Sequence, residues 1–167
     1  MNDENGTSPV LIRRAVPEEF DRLRQVELES DRLLAQVGIG PFLDVDDHRL
    51  VEAAVVFAAG EPAVGFVSVR MVDGEAHIDQ LSVVPEHGRQ GIGRALLDHA
   101  ISWARHQRLP GVTLTTFSHV PWNAPFYRRV GFEVVSHPTP RLAAIRADER
   151  ELGIDAMGPR VAMRMVL

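Results

Sequence analysis

The chain has 167 residues, 45% of them hydrophobic and 25% charged, with a formal net charge of −5 and no cysteine. That is the composition and length of one globular domain with a sizeable core. It excludes disulfides, thiolate metal sites and a cysteine nucleophile, argues against a general nucleic-acid binder, and offers no apolar run near the roughly 18 residues that span a bilayer.

Residues 1–8 are polar, lack an apolar signal core and read as a disordered tail before a single domain over 9–167; the expected compartment is the cytoplasm. Residues 10–14 form a short β-rich run. Pro17 suits the first position of a helix, with Glu18 and Glu19 favourable at its N-terminus. Phe20, Leu23 and Val26 keep helical spacing, a second apolar group follows at Leu33, Leu34 and Val37, and Gly38-Ile39-Gly40-Pro41 breaks the pattern. A short helix over 47–53, capped by Asp46, comes next. Residues 55–58 and 64–72 read as strands. Asp73-Gly74 is a hairpin turn, and 76–84 returns antiparallel.

From Ile92 to about residue 108 the apolar positions Ala95, Leu96, Ala100, Trp103 and Ala104 share one helical face, with Arg94, Asp98, Ser102 and Arg105 opposite. Residues 112–117 form a β-branched strand. Strand, loop, helix and strand in that order predict a parallel pair joined by a crossover. A short helix over 124–130 stops at Gly131, and 132–135 is extended. Thr139-Pro140 opens a helix over 141–152 with Gly153 at its end, and 161–167 closes the chain as a strand. The fold class is mixed α/β (α+β): an antiparallel front half and one parallel crossover, flanked by helices.

Between the strand ending near Val84 and the helix from Ile92 lies Gly88-Arg89-Gln90-Gly91-Ile92-Gly93-Arg94. Glycines let ligand atoms approach the backbone, and the helix start leaves N–H groups unpaired with the dipole favouring an anion. The stretch reads as a place to hold a phosphate, the alternative being a tight strand–helix turn that binds nothing. It lacks the Gly-Lys-Ser/Thr of a P-loop, since Arg94-Ala95 follows Gly93, and Leu96 replaces the third small residue of a dinucleotide fingerprint.

The stretch resembles the pyrophosphate loop of the GNAT N-acetyltransferase superfamily, Gln/Arg-x-x-Gly-x-Gly/Ala after a strand, with Gly88 in place of the leading Gln or Arg. Leu81-Ser82-Val83-Val84-Pro85 is similar to the strand that receives pantetheine. Asn123-Ala124-Pro125-Phe126-Tyr127-Arg128-Arg129-Val130-Gly131-Phe132 is similar to the C-terminal motif, a short helix with Phe-Tyr followed by Gly-Phe. The resemblance covers residues 81–132 and implies a mostly antiparallel sheet splayed at its central parallel pair, with acetyl-CoA in the V.

The implied cofactor contacts are Leu81, Ser82 and Val83 for pantetheine, and Arg89, Gln90, Gly91, Ile92, Gly93 and Arg94 for pyrophosphate. A backbone N–H at or beside Leu81 would serve as oxyanion donor. Asn123 reads as a cofactor contact or as a helix N-cap, and Phe126 as cofactor wall or core. Tyr127, the one tyrosine, is implied as the acid for the departing thiolate or as a hydrogen-bond donor to it. The substrate ammonium needs a base, and the strand over 112–116 has no carboxylate. On the strand over 76–84, alternation puts His77 and Asp79 on one face, together with Leu81 and Val83. Either is a candidate base; His119, just past the second strand, stands behind them.

Six acidic residues (Glu27, Glu29, Asp31, Asp44, Asp46 and Asp47) lie near the elements that usually set acceptor choice, and the helix over 141–152 reads as structural. The implied activity is direct acetyl transfer from acetyl-CoA to a primary amine of a small molecule or peptide. No metal, nucleic acid or membrane partner is expected, and a homodimer is left open. A non-catalytic acyl-CoA-binding module is the alternative.

Overall fold

The computed structural model describes residues 9–42 and 48–167. The tail over 1–8, the cap at Asp46, and Asp44 and Asp47 lie outside the described residues.

Strand β1 (Ile12–Arg14) leads into a 3-10 turn (Pro17–Glu19) and helix α1 (Phe20–Ala35). The α-helix starts three residues later than Pro17 predicts. Glu19 turns back to accept from the Val16 N–H (2.9 Å) and from Arg13 (2.7 and 2.9 Å), which tightens the first turn. After the short α2 (His48–Val51) come β2 (Val55–Ala59), β3 (Gly65–Val72) and β4 (Glu75–Val83). The β3–β4 turn is the expected one, with Asp73 and Gly74 both at positive φ (50° and 80°).

A 3-10 turn (Pro85–His87) and the glycine loop precede α3 (Ile92–His106). Then follow β5 (Gly111–Phe117), α4 (Ala124–Val130), β6 (Glu133–Val134), α5 (Pro140–Glu151), α6 (Ile154–Met157) and β7 (Arg160–Val166). The 3-10 turns and α6 are absent from the sequence reading, each being a single turn too short to show periodicity.

Among the described residues, the strands form one seven-stranded sheet in the order β1-β2-β3-β4-β5-β7-β6, in which only β4 and β5 run parallel. One face carries α3 and α4, whose Leu96, Leu97, Ala100 and Tyr127 pack on Val67, Val69, Ile78 and Leu114. The other carries α1, whose Leu23 and Val26 pack on Val56, Ala58 and Phe66. The alternation of these buried side chains gives the sheet its two layers of helix.

Two irregularities shape the centre. Although β4 has nine residues and β5 seven, they share only three rungs: Ala76 with Val112, His77 with Thr113, and Ile78 with Leu114. Beyond Ile78 and Leu114 the strands part, and the expected V is present. At the same level β4 carries a bulge against β3: Ser68 pairs with Gln80 and Val69 with Ile78, leaving Asp79 as the extra residue. A bulge bends its strand and raises local twist, and here it coincides with the fork.

Candidate active site at the fork

The bulge corrects one expectation from simple alternation. Ile78 and Leu81, three apart, both join the cluster under α3, as does Val83. His77 faces the other way, where its Nδ1 hydrogen-bonds Thr113 Oγ1 at 2.9 Å. His77 and Asp79 therefore do share a face, the α1 face, but Leu81 and Val83 lie on the opposite one. The extra residue shifts the register of alternation by one.

His77 is 2% exposed and sits on a paired rung below the fork. Burial pushes its imidazole down to about 4, and the Arg70 guanidinium pushes the same way. Asp79 is the first β4 residue past the last rung. Its carboxylate forms an ion pair with Arg70, Nε to Oδ1 3.0 Å, without hydrogen-bond alignment. Gln80 on the same face donates to Ser82 Oγ at 2.8 Å, and Ser82 is buried.

Past Val84 the backbone turns through Gly88 into α3. Among the described residues, backbone hydrogen bonding stops at the Gly88 N–H, bound to Pro85 O, and resumes at the Ala95 N–H, bound to Gly91 O, each at 3.0 Å. The N–H groups of Arg89, Gln90, Gly91, Ile92, Gly93 and Arg94 lie between, and Arg89 to Gly91 are exposed. Gly91 caps α3 at φ 79°, where glycine is favoured, and the space its Cβ would enter is open. Gly93 needs no positive φ, and its Cβ would meet only Val83 Cγ2 at 3.8 Å. Unpaired amides around open space at a helix start suit a phosphate. Arg94 spans back to Asp98 (2.9 Å), so its guanidinium is held along the helix rather than over the loop.

On the α3 face, Tyr127 packs between Phe126 and Phe132, with ring centroids 5.2 and 5.8 Å away. Burial pushes its phenol pKa well up. Asn123 occupies the N-cap position of α4 and takes the Tyr127 N–H on its carbonyl, but its side chain makes no cap hydrogen bond. The side-chain half of the capping expectation is not met. Phe126 is partly buried against the α3 cluster.

The main omission of the sequence reading lies across the fork. Thr115, the first β5 residue past the last rung, donates to the Glu149 carboxylate of α5 and accepts from Arg160 Nη2 at 3.1 Å. Glu149 also accepts from Arg146 and Arg160; Arg146 donates to Asp155 at 2.7 and 2.9 Å; the Arg160 guanidinium lies 4.6 Å over the Phe117 ring. Burial works to raise the Glu149 pKa, but hydrogen bonds from Arg160, Thr115 and Arg146 outweigh it and hold the carboxylate below its ordinary range. The one sequence signal is Arg146 and Glu149 at i, i+3, which puts them on one helix face. A hollow of about 260 Å³ opens on the β6 side of α5, lined by Val134, Ala143, Arg146, Arg150, Arg160 and Ala162.

The described residues hold no cluster of three or more His, Cys, Asp or Glu side chains placed to bind a metal, and no helix long and apolar enough to cross a membrane.

Known proteins share this architecture. The PaiA N-acetyltransferase of Thermoplasma acidophilum, solved with coenzyme A, superposes with a TM-score of 0.68 at 16% identity, over 96% of this chain and 100% of that one. Rv2747 of Mycobacterium tuberculosis, solved with CoA and NLQ, gives 0.65 at 20%, over 94% and 99%. An acetyltransferase of the GNAT family from Staphylococcus aureus gives 0.70 at 17%, over 95% and 99%. A sequence profile described as the acetyltransferase (GNAT) family matches residues 13–132, most of the chain and both sides of the fork, and the chain belongs to that family.

Proposed function

We propose that residues 9–167 act as one acetyl-CoA-dependent N-acetyltransferase, passing the acetyl group directly to a primary amine of a small molecule or peptide. One observation carries this reading. The unpaired edge of β4 beyond Ile78 runs straight into a loop whose six N–H groups lack backbone partners. A pantetheine arm has amides for the first, and a pyrophosphate has oxygens for the second. The fold neighbours solved with CoA support the same ligand.

Leu81, Ser82 and Val83 would line the arm through their backbone. The amides of Arg89, Gln90, Gly91, Ile92 and Gly93 would hold the pyrophosphate, with Arg94 released from Asp98 to join them. Asn123 and Phe126 flank the arm from α4. The bound thioester supplies the electrophile. On this chain's side, the N–H of Leu81 is assigned to the carbonyl oxygen as developing charge is stabilised, and the Tyr127 hydroxyl to the leaving sulfur. Asp79 is assigned as base, through water, because it stands at the fork on the α1 face. His77 supports it from below: an imidazole so buried and so easily deprotonated is a poor proton acceptor.

Thiol release from acetyl-CoA over a panel of small and peptide amines tests this. Amine-dependent release with at least one acceptor is expected. Binding of acetyl-CoA with no release on any amine would favour the non-catalytic module instead.

A further inference from the structure

An amine acceptor reaches the enzyme as an ammonium ion and needs an oxygen to orient it before it loses its proton. β5 carries no carboxylate, yet the structure brings one to it. Glu149 arrives from α5 and is bonded to Thr115. We infer that Thr115, oriented by Glu149 and Arg160, holds the acceptor's nitrogen at the mouth of the fork.

This rests on the acetyltransferase reading. A threonine hydroxyl has one donor and two acceptor lone pairs. The donor is spent on Glu149 and one lone pair on Arg160 Nη2, so a single acceptor position is left. Both partners fix the hydroxyl rotor, and Thr115 is only half-buried. The side chain lies on the right face: Leu114 packs under α3, so Thr115 stands on the α1 face. Ile78 and Leu114 form the last rung, which makes Asp79 and Thr115 the first residues past it on the two arms, both on that face.

An ammonium between them would donate one N–H to Thr115 Oγ1 while another proton leaves through water toward Asp79. Glu149 is not itself the base. Two guanidiniums and the Thr115 hydroxyl occupy its oxygens and keep it ionised. It is a positioning residue, and the acceptor class is an amine presented as its cation.

The test is steady-state kinetics on the full chain with one good acceptor, alongside thermal shift with acetyl-CoA. Thr115→Val keeps shape and removes the oxygen; Thr115→Ser keeps the oxygen. Thr115→Val should raise the acceptor KM about ten- to a hundredfold, the loss of one hydrogen bond to a charged group. The acetyl-CoA shift should not change, and Thr115→Ser should stay near wild type. An unchanged acceptor KM in Thr115→Val overturns the inference. So does a variant in which acceptor KM stays put while stability and the acetyl-CoA shift fall, because that is a purely structural role. If the wild type releases no thiol with any amine, the acetyltransferase reading falls and takes this inference with it; if it does and only KM is unmoved, the inference falls alone.

Discussion

At Tyr127 the environment narrows the chemistry. Burial among Phe126 and Phe132 raises its pKa, so the hydroxyl stays protonated across the working range. A weaker acid gives up its proton reluctantly, so the role proposed for it at the departing sulfur is hydrogen-bond donation rather than full proton transfer. Tyr127→Phe should lower kcat and kcat/KM together by about 10²-fold, the low end for a lost acid. The high-pH limb of the rate profile should be the same in both proteins. A mutant with wild-type kcat would make Tyr127 a packing residue only. His77 gives a second prediction, for stability. Its folded pKa of about 4 lies below the ordinary 6.5, so as pH falls the unfolded chain binds the proton first. Stability is intact above pH 6.5 and drains away toward pH 4, by on the order of 3 kcal/mol. Urea midpoints at pH 7 and 5 should show this slope in the wild type and a flatter one in His77→Gln. An equal slope in the two would place the titrating group elsewhere.

The elements were largely readable because their signals are local. The Asp73-Gly74 turn, the apolar face of α3 and the Gly131 stop of α4 each follow from a few neighbouring residues. The glycine loop was readable in the same way, and two of its glycines, Gly91 and Gly93, should respond differently. Gly91 sits at φ 79°, so Gly91→Val forces a branched residue into left-handed backbone at about 1–2 kcal/mol and should weaken both folding and CoA binding. Gly93→Val should fold nearly as wild type, since its Cβ meets only ordinary contact, yet lose the CoA-induced thermal shift by filling the cradle. Gly93→Val with a full shift would mean that the pyrophosphate lies elsewhere. The bulge at Asp79 was not readable. His77, Asp79 and Leu81 alternate without a glycine to mark it, and a bulge is a property of how β4 meets β3 rather than of β4 alone.

Over the whole molecule, α5 shows where sequence reading fails. Its charges give it the look of a solvent-facing helix, but Arg146 is buried and joins Glu149, Asp155 and Arg160 across α5, α6 and β7. Hydropathy cannot tell a wet charge from one neutralised by a partner far along the chain. Removing one member leaves the others uncompensated, so Arg146→Met should cost about 3 kcal/mol in urea unfolding; a loss under about 0.5 kcal/mol would make the network surface decoration. Among the described residues, the splayed pair, the helices on both faces and this network leave an open V lined by free backbone groups. Calorimetric titration of the protein with CoA tests that claim most directly. Saturable one-site binding is expected, with stability rising by about 2.7 kcal/mol at a hundred times the Kd, and both are lost in Gly93→Val. No heat and no stabilisation at saturating CoA, or binding indifferent to Gly93→Val, would contradict it.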